Sequence, residues 1–202
     1  MIIDVPSPID LRKLDDAREW ESKAMVVRPW RTEFFAEFHK QLARISAQRI
    51  LELGSGPGFL CAALLEANPA YEYSALDFSA AMHTLARNRL GARAEQVRFI
   101  ERSFKEPDWA QGLGEFDAVI TNQAVHELRH KAYATGLHRQ VRAVLKPGAA
   151  YLVCDHYVGE DGMKNDQLYM TIEEQRNALL EAGFTSVAAV LVKGGLALHC
   201  AS

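Results

Sequence analysis

The sequence has no apolar run approaching the roughly 20 residues that a membrane-spanning helix needs. Its opening stretch, MIIDVPSPID, carries acids and prolines where a secretion signal would have a basic start and a long apolar segment. Cysteine is scarce: Cys61, Cys154 and Cys200 are odd in number, widely spaced and set in apolar runs, so reduced core thiols are expected, without a disulfide framework or zinc spacing. Basic residues form no block, and 23 Lys+Arg against 26 Asp+Glu leave a formal charge of −3, which gives no general field for nucleic acid. A local patch is the only electrostatic route left to such a partner. These absences lead us to expect a cytoplasmic protein without membrane or nucleic-acid partners. Internal repeats and low-complexity segments are also missing. The 202 residues are therefore read as one domain, long enough to bury about 70% of its unfolded surface without staples.

What is present is organised around Arg49 to Leu60, RILELGSGPGFL. A strand-type apolar run (Ile50, Leu51, Leu53) ends in glycines at alternate positions, Gly54, Gly56 and Gly58, with Ser55 between the first two. Phe59, Leu60, Ala62, Ala63, Leu64 and Leu65 then come at helical spacing. Strand, glycine loop and helix in this order direct backbone N–H groups at a ligand beyond the strand's carboxyl end. Glycine there allows positive φ and close approach. A dinucleotide fingerprint would need a further glycine at the sixth position, where Phe59 stands.

The stretch resembles the first motif of the class I S-adenosylmethionine-dependent methyltransferases, with Glu52, Gly54, Gly56 and Gly58 matching. The rest of the chain supports the resemblance. Residues 1 to 10 read as an irregular tail, and a charged helix is expected from Leu11 to about Lys23, interrupted by Met25 to Val27 and broken at Pro29. A second helix is predicted over Thr32 to Ile45, with Phe34, Phe38, Leu42 and Ile45 on its apolar face. Further strands are predicted at Tyr71–Leu76, Val97–Ile100, Phe116–Thr121 and Ala149–Cys154. Between them come a helix capped by Ser79 and stopped by Gly91, a loop or short helix holding Trp109, and a helical stretch from about Gln123 through Leu145. A helix over Thr171–Ala182 and two strands, Val187–Val192 and Leu196–Cys200, complete the chain.

Strands alternating with helices imply an α/β fold with a parallel sheet covered on both faces. The last two strands are too close in sequence for a crossover helix, so they pair antiparallel or splay apart. The resemblance then implies a Rossmann-like three-layer sandwich with a seven-stranded, mostly parallel sheet and an antiparallel final strand. Residues 48–202 would form the cofactor-binding domain and residues 1–47 an N-terminal helical extension, or lid, within one structural unit. Arg28, Trp30 and Arg31, beside the break at Pro29, are placed to meet an anionic or planar acceptor, although Trp20 and Trp30 could equally be buried against the sheet.

Ligands of open α/β sheets bind beyond the carboxyl ends of the strands. The first strand delivers Glu52 and the loop. The second delivers Asp77, whose carboxylate can accept both ribose hydroxyls, and Phe78, placed to cover an adenine. The third delivers Ser103 and Phe104, with a serine where the family usually offers an acid to the adenine amino group. The fourth delivers Asn122, Gln123 and His126; by resemblance Asn122 lies at the methionine moiety. No Asn/Asp-Pro-Pro-aromatic tetrapeptide stands there, which speaks against the amino-methylating nucleic-acid enzymes. The fifth delivers Asp155 and His156. His126 is the first candidate for the base that takes a proton from an O or N nucleophile, followed by His156 and Asp155. No third ligand completes a metal site around Asp155 and His156, so no metal is expected.

The expected activity is methyl transfer from S-adenosylmethionine to a small-molecule acceptor. An NAD(P)-dependent oxidoreductase is disfavoured by Phe59 and the terminal hairpin. A non-catalytic S-adenosylmethionine-binding regulator is kept open by Ser103 and by the want of a decisive base, and a protein- or RNA-methylating enzyme is weakened by the mild acidity.

Overall fold

The computed structural model describes residues 2–202. Seven strands, β1 (Arg49–Leu53), β2 (Glu72–Asp77), β3 (Val97–Glu101), β4 (Phe116–Asn122), β5 (Leu145–His156), β6 (Val187–Lys193) and β7 (Leu196–Ala201), form one sheet in the order β3-β2-β1-β4-β5-β7-β6. β1 to β5 pair in parallel, and β7 enters antiparallel between β5 and β6. The turn Lys193-Gly194-Gly195 thus closes the expected hairpin, and only the last strand is reversed. From β1 the chain builds outward to β2 and β3; it then returns to β4 on β1's other side. This switch in direction places the carboxyl ends of β1 and β4 beside one crevice.

Alternation along the strands separates two apolar layers. Leu51, Leu53, Val119, Tyr151 and Val153 face one layer, which contains Leu137 and Val141 of α5 (Ala134–Arg142) and Leu179 of α6 (Ile172–Glu181). Ile50, Ala118, Ile120, Leu152 and Cys154 face the other, which holds Leu60, Leu64 and Leu65 of α3 (Phe59–Ala67). Phe34, Phe38 and Leu42, four residues apart on α2 (Arg31–Arg44), join that second layer as expected, whereas Ile45 caps the helix and is partly exposed. Met25 to Val27 do not interrupt the first helix. They complete α1 (Leu14–Val27), and the break falls at Arg28-Pro29. α1 packs its Ala17 with Ala81, Met82 and Leu85 of α4 (Ala80–Leu90), so the extension lies over the carboxyl end of β2.

The ends follow local chemistry. Ser79 Oγ accepts the Met82 amide at 3.1 Å, Gly91 stops α4, and Thr171 and Glu174 form a reciprocal capping box on α6. The region after β4 departs from the expected long helix. Short 3-10 turns at Val125–Leu128 and Lys131–Tyr133 precede α5, and Arg129 takes a left-handed conformation at φ +71° between them. The helix also ends before Lys146-Pro147-Gly148, which lies inside β5 as an irregularity opposite Phe116–Ala118.

Candidate active site

The glycine loop is held by its own backbone. The amides of Gly54 and Ser55 donate to Leu76 O at 2.8 and 3.1 Å, and that of Gly58 to Ser55 O at 3.2 Å. The Gly56 amide donates to Asp77 Oδ2 at 2.8 Å. These amides, expected to await a ligand, instead bind the loop to β2 or, at Gly58, to itself. A Cβ on Gly54 would lie 2.4 Å from Ala124 Cβ, whereas one on Gly56 would meet nothing within 4 Å. Gly54 therefore lets the β1 and β4 ends close together, and Gly56 leaves open space above the loop. Gly58 abuts Ala86 of α4 and does not line the cavity.

That space belongs to a cavity of about 240 Å³ at the switch point. Glu52, Ser55, Asp77, Phe78, Ser103, Phe104, Asn122, His126 and His156, all predicted from sequence, line it; Asp155 lies behind His126. Asp77 is buried, and burial pushes its carboxyl up to about 6 against the pull of the Gly56, Ser79 and Phe78 amides. Its two oxygens accept the Gly56 amide and, at 2.9 Å, the Ser79 amide, which leaves further lone pairs for a diol. Glu52 lies deeper. Burial raises its pKa to about 8 although Tyr73 OH donates to Oε2 at 2.7 Å, so at neutral pH the carboxyl is mostly protonated. Phe78 is 40% exposed at the rim. Phe104 packs beside Gly54, and Ser103 Oγ accepts the Lys105 amide at 3.2 Å.

Ser55, Asn122 and Gln123 line the cavity, and Ser55 Oγ, Asn122 Oδ1 and Gln123 Nε2 are buried without hydrogen-bond partners among the described residues. Such atoms are rare in folded interiors because each carries an uncompensated desolvation penalty. These unpaired polar atoms on the cavity lining, together with the Asp77 carboxylate, fit a ligand that carries both donors and acceptors.

The surroundings of His126 are more tightly built. His126 Nδ1 lies 2.7 Å from Asp155 Oδ1, the His126 amide donates to Oδ2 at 2.8 Å, and Nε2 lies 3.3 Å from Glu127 Oε1. Burial alone would lower the His126 pKa, but the Asp155 and Glu127 carboxylates hold it well above the ordinary histidine value. The Asp155 carboxyl is correspondingly held low by the His126 charge despite its burial. His156, 5.4 Å from His126 between ring centres, is pushed by burial down to about 4 and forms a neutral aromatic wall with Tyr169.

Sequence reasoning missed Lys105, Glu127 and Tyr169. It singled out Trp30, but Trp20 lines the cavity, while Trp30 covers Gly194 in the hairpin turn. His126 sits in a 3-10 turn and not on a helix.

The sheet order, the reversed last strand, the glycine loop and the acid ending β2 define the class I, Rossmann-like fold of S-adenosylmethionine-dependent methyltransferases. A family profile described as "Methyltransferase domain" matches residues 51–151, half of the chain. The chain belongs to this family of S-adenosylmethionine-dependent enzymes, which sets aside the oxidoreductase reading.

Among known proteins, the release factor glutamine methyltransferase of Deinococcus radiodurans is 29% identical over 184 residues, covering 87% of this chain and 60% of that protein. The chain spans at most 60% of the length of the curated relatives it matches. The DhpI–SAH complex superposes with a TM-score of 0.72 at 20% identity, covering 95% of both chains. PigF with SAH gives 0.76 at 15% identity, covering 95% of this chain and 60% of that one. At these identities the structures share the fold.

Proposed function

We propose that this protein methylates an O or N nucleophile of a small molecule, with His126 as the base and Asp155 as its orienting partner. The observation that carries the reading is the His126–Asp155 contact of 2.7 Å in the cavity that also holds Asp77 and the glycine loop. When bound, S-adenosylmethionine supplies an electrophilic sulfonium methyl group, so the demand on the protein is alignment and removal of a proton. Asp77 would accept the ribose hydroxyls, and Phe78 and Phe104 would flank the adenine, with Ser103 in place of the usual acid. Asn122 Oδ1 and Gln123 Nε2 would take the ammonium and carboxylate of the amino-acid end; Ser55 Oγ lies within the same polar group.

Nδ1–H of His126 donates to Asp155, so once the resting imidazolium has lost its Nε2 proton the lone pair of the neutral ring lies on Nε2. Nε2 receives the acceptor's proton, and Asp155 and Glu127 stabilise the resulting imidazolium. Leu11 and Trp20 line the cavity from the N-terminal extension, and Ser79 Oγ donates to Leu11 O at 2.6 Å, supporting a lid role for residues 1–47. Calorimetry with S-adenosylhomocysteine tests the reading: stoichiometric binding is expected, and a folded protein that gives no heat and no thermal shift would refute it.

A further inference from the structure

The wall of the cavity formed by the N-terminal extension carries two arginines to which neither the proposed cofactor contacts nor the His126 proton transfer gives a direct part. Arg31 is 4% exposed, its Nε is buried without a partner, and its Nη2 donates to the uncharged Gln123 Oε1. Arg28, three residues earlier across the break at Pro29, lines the same cavity. Among the described residues neither guanidinium pairs with a carboxylate. Two neighbouring cations, one almost wholly buried, repel each other and lack the anion that would normally offset their desolvation.

Their position says where that anion enters. Arg28, Arg31 and Trp20 also line a second cavity of about 380 Å³ along α1, so these three side chains form the partition between that groove and the inner site. Arg31 meets Gln123, next in the chain to the end of β4, and both arginines share the cavity lining with His126 and His156. Trp20 stacks on Arg31, with the guanidinium 5.4 Å from the ring centre, and so holds it in place.

We infer that Arg28 and Arg31 form an anion subsite for the acceptor, so that the substrate is a small organic acid held by its carboxylate while its nucleophile faces His126. This inference rests on the methyltransferase reading and narrows its substrate class. Arginine suits the task because its planar donors match a carboxylate in two-point geometry.

The same chemistry is offered by the carboxylate of the cofactor, and the test separates the two sources. Protein saturated with S-adenosylhomocysteine is titrated with benzoate and acetate and, as uncharged controls, benzamide and acetamide; Arg28→Gln and Arg31→Met are studied in parallel. Thermal unfolding reports whether each variant is folded, and the more exposed Arg28 keeps the test available if the Arg31 variant is not. We expect at least one carboxylate to bind about tenfold or more tighter than its amide, this preference to vanish in Arg28→Gln, and S-adenosylhomocysteine affinity in that variant to stay within about threefold of the parent protein. Equal binding of acids and amides would overturn the inference and leave cofactor binding intact. Loss of S-adenosylhomocysteine affinity in Arg28→Gln, with the carboxylate preference retained, would assign the arginines to the cofactor and overturn it too. Failure of the parent protein to bind S-adenosylhomocysteine would instead remove the reading beneath it.

Discussion

His126 and Asp155 are joined twice, through Nδ1 to Oδ1 at 2.7 Å and through the main-chain amide to Oδ2 at 2.8 Å. One carboxylate therefore fixes both the ring and the backbone turn that carries it. Removing the imidazole in His126→Ala is expected to reduce turnover by about 10²- to 10⁴-fold, the usual worth of a positioned base. Asp155→Asn keeps the shape but loses the charge that stabilises the imidazolium formed in the reaction, so turnover at the alkaline plateau should fall while S-adenosylhomocysteine affinity stays within a few-fold. Near-normal turnover in His126→Ala with normal cofactor binding would remove His126 from the mechanism.

The same contact predicts opposite pH trends for activity and stability. Asp155 and Glu127 hold the imidazolium against the downward effect of burial, so at neutral pH the proton must leave Nε2 before His126 can act. kcat/KM is expected to rise about tenfold per pH unit from neutral pH until His126 titrates. Asp155→Asn should move that limb to lower pH. Folding stability runs the other way. A histidine whose pKa is raised in the folded state contributes fully below its unfolded value of 6.5 and loses that contribution as pH climbs through the raised value. Tm measured across the alkaline range should fall with pH in the parent protein and fall less in His126→Ala.

The strand–loop–helix at Arg49 to Leu60 was legible because periodicity changes from strand to helix across three glycines, and the hairpin was legible because three residues cannot span a crossover. Strand ends carry their chemistry in the sequence, so Asp77, Asn122, His126 and His156 all reached the cavity. The segment after β4 was not legible. Arg129 breaks the expected helix, and its guanidinium donates to Val5 O at 2.8 Å and Pro6 O at 2.7 Å, contacts made across more than 120 residues. No local pattern signals such a tie. The sequence left the parts of Trp20 and Trp30 open for the same reason, since the close approach of Trp30 to Gly194 depends on how the start of α2 meets the hairpin.

Cofactor binding should weaken in acid because of Asp77. Burial raises its pKa to about 6 in the free protein, and a ligand that needs the carboxylate as a double acceptor competes with the proton below that value. Calorimetric titration of S-adenosylhomocysteine is expected to show affinity level above about pH 7 and falling by up to about tenfold per unit below pH 6. Asp77→Asn should bind weakly and without this slope. A parent protein whose affinity is flat from pH 5 to 8 would show that Asp77 does not carry the ribose contact.

Gly54 and Gly56 share positive φ, at +66° and +54°, but should respond differently to alanine. At Gly54 a methyl group would meet Ala124 Cβ at 2.4 Å between two packed chain segments, adding an overpacking penalty of about 1–3 kcal/mol to about 1–2 kcal/mol of left-handed strain. Gly54→Ala is thus expected to lose several kcal/mol in denaturant titration, a large part of the stability of an ordinary domain. At Gly56 the methyl group enters open space, so only the strain of about 1–2 kcal/mol applies to folding. The same methyl group projects above a loop whose amide holds Asp77, where the bound cofactor would lie, so Gly56→Ala should lose S-adenosylhomocysteine affinity by about tenfold or more while remaining folded. If Gly56→Ala bound S-adenosylhomocysteine as tightly as the parent protein, the cofactor would have to lie elsewhere in the crevice.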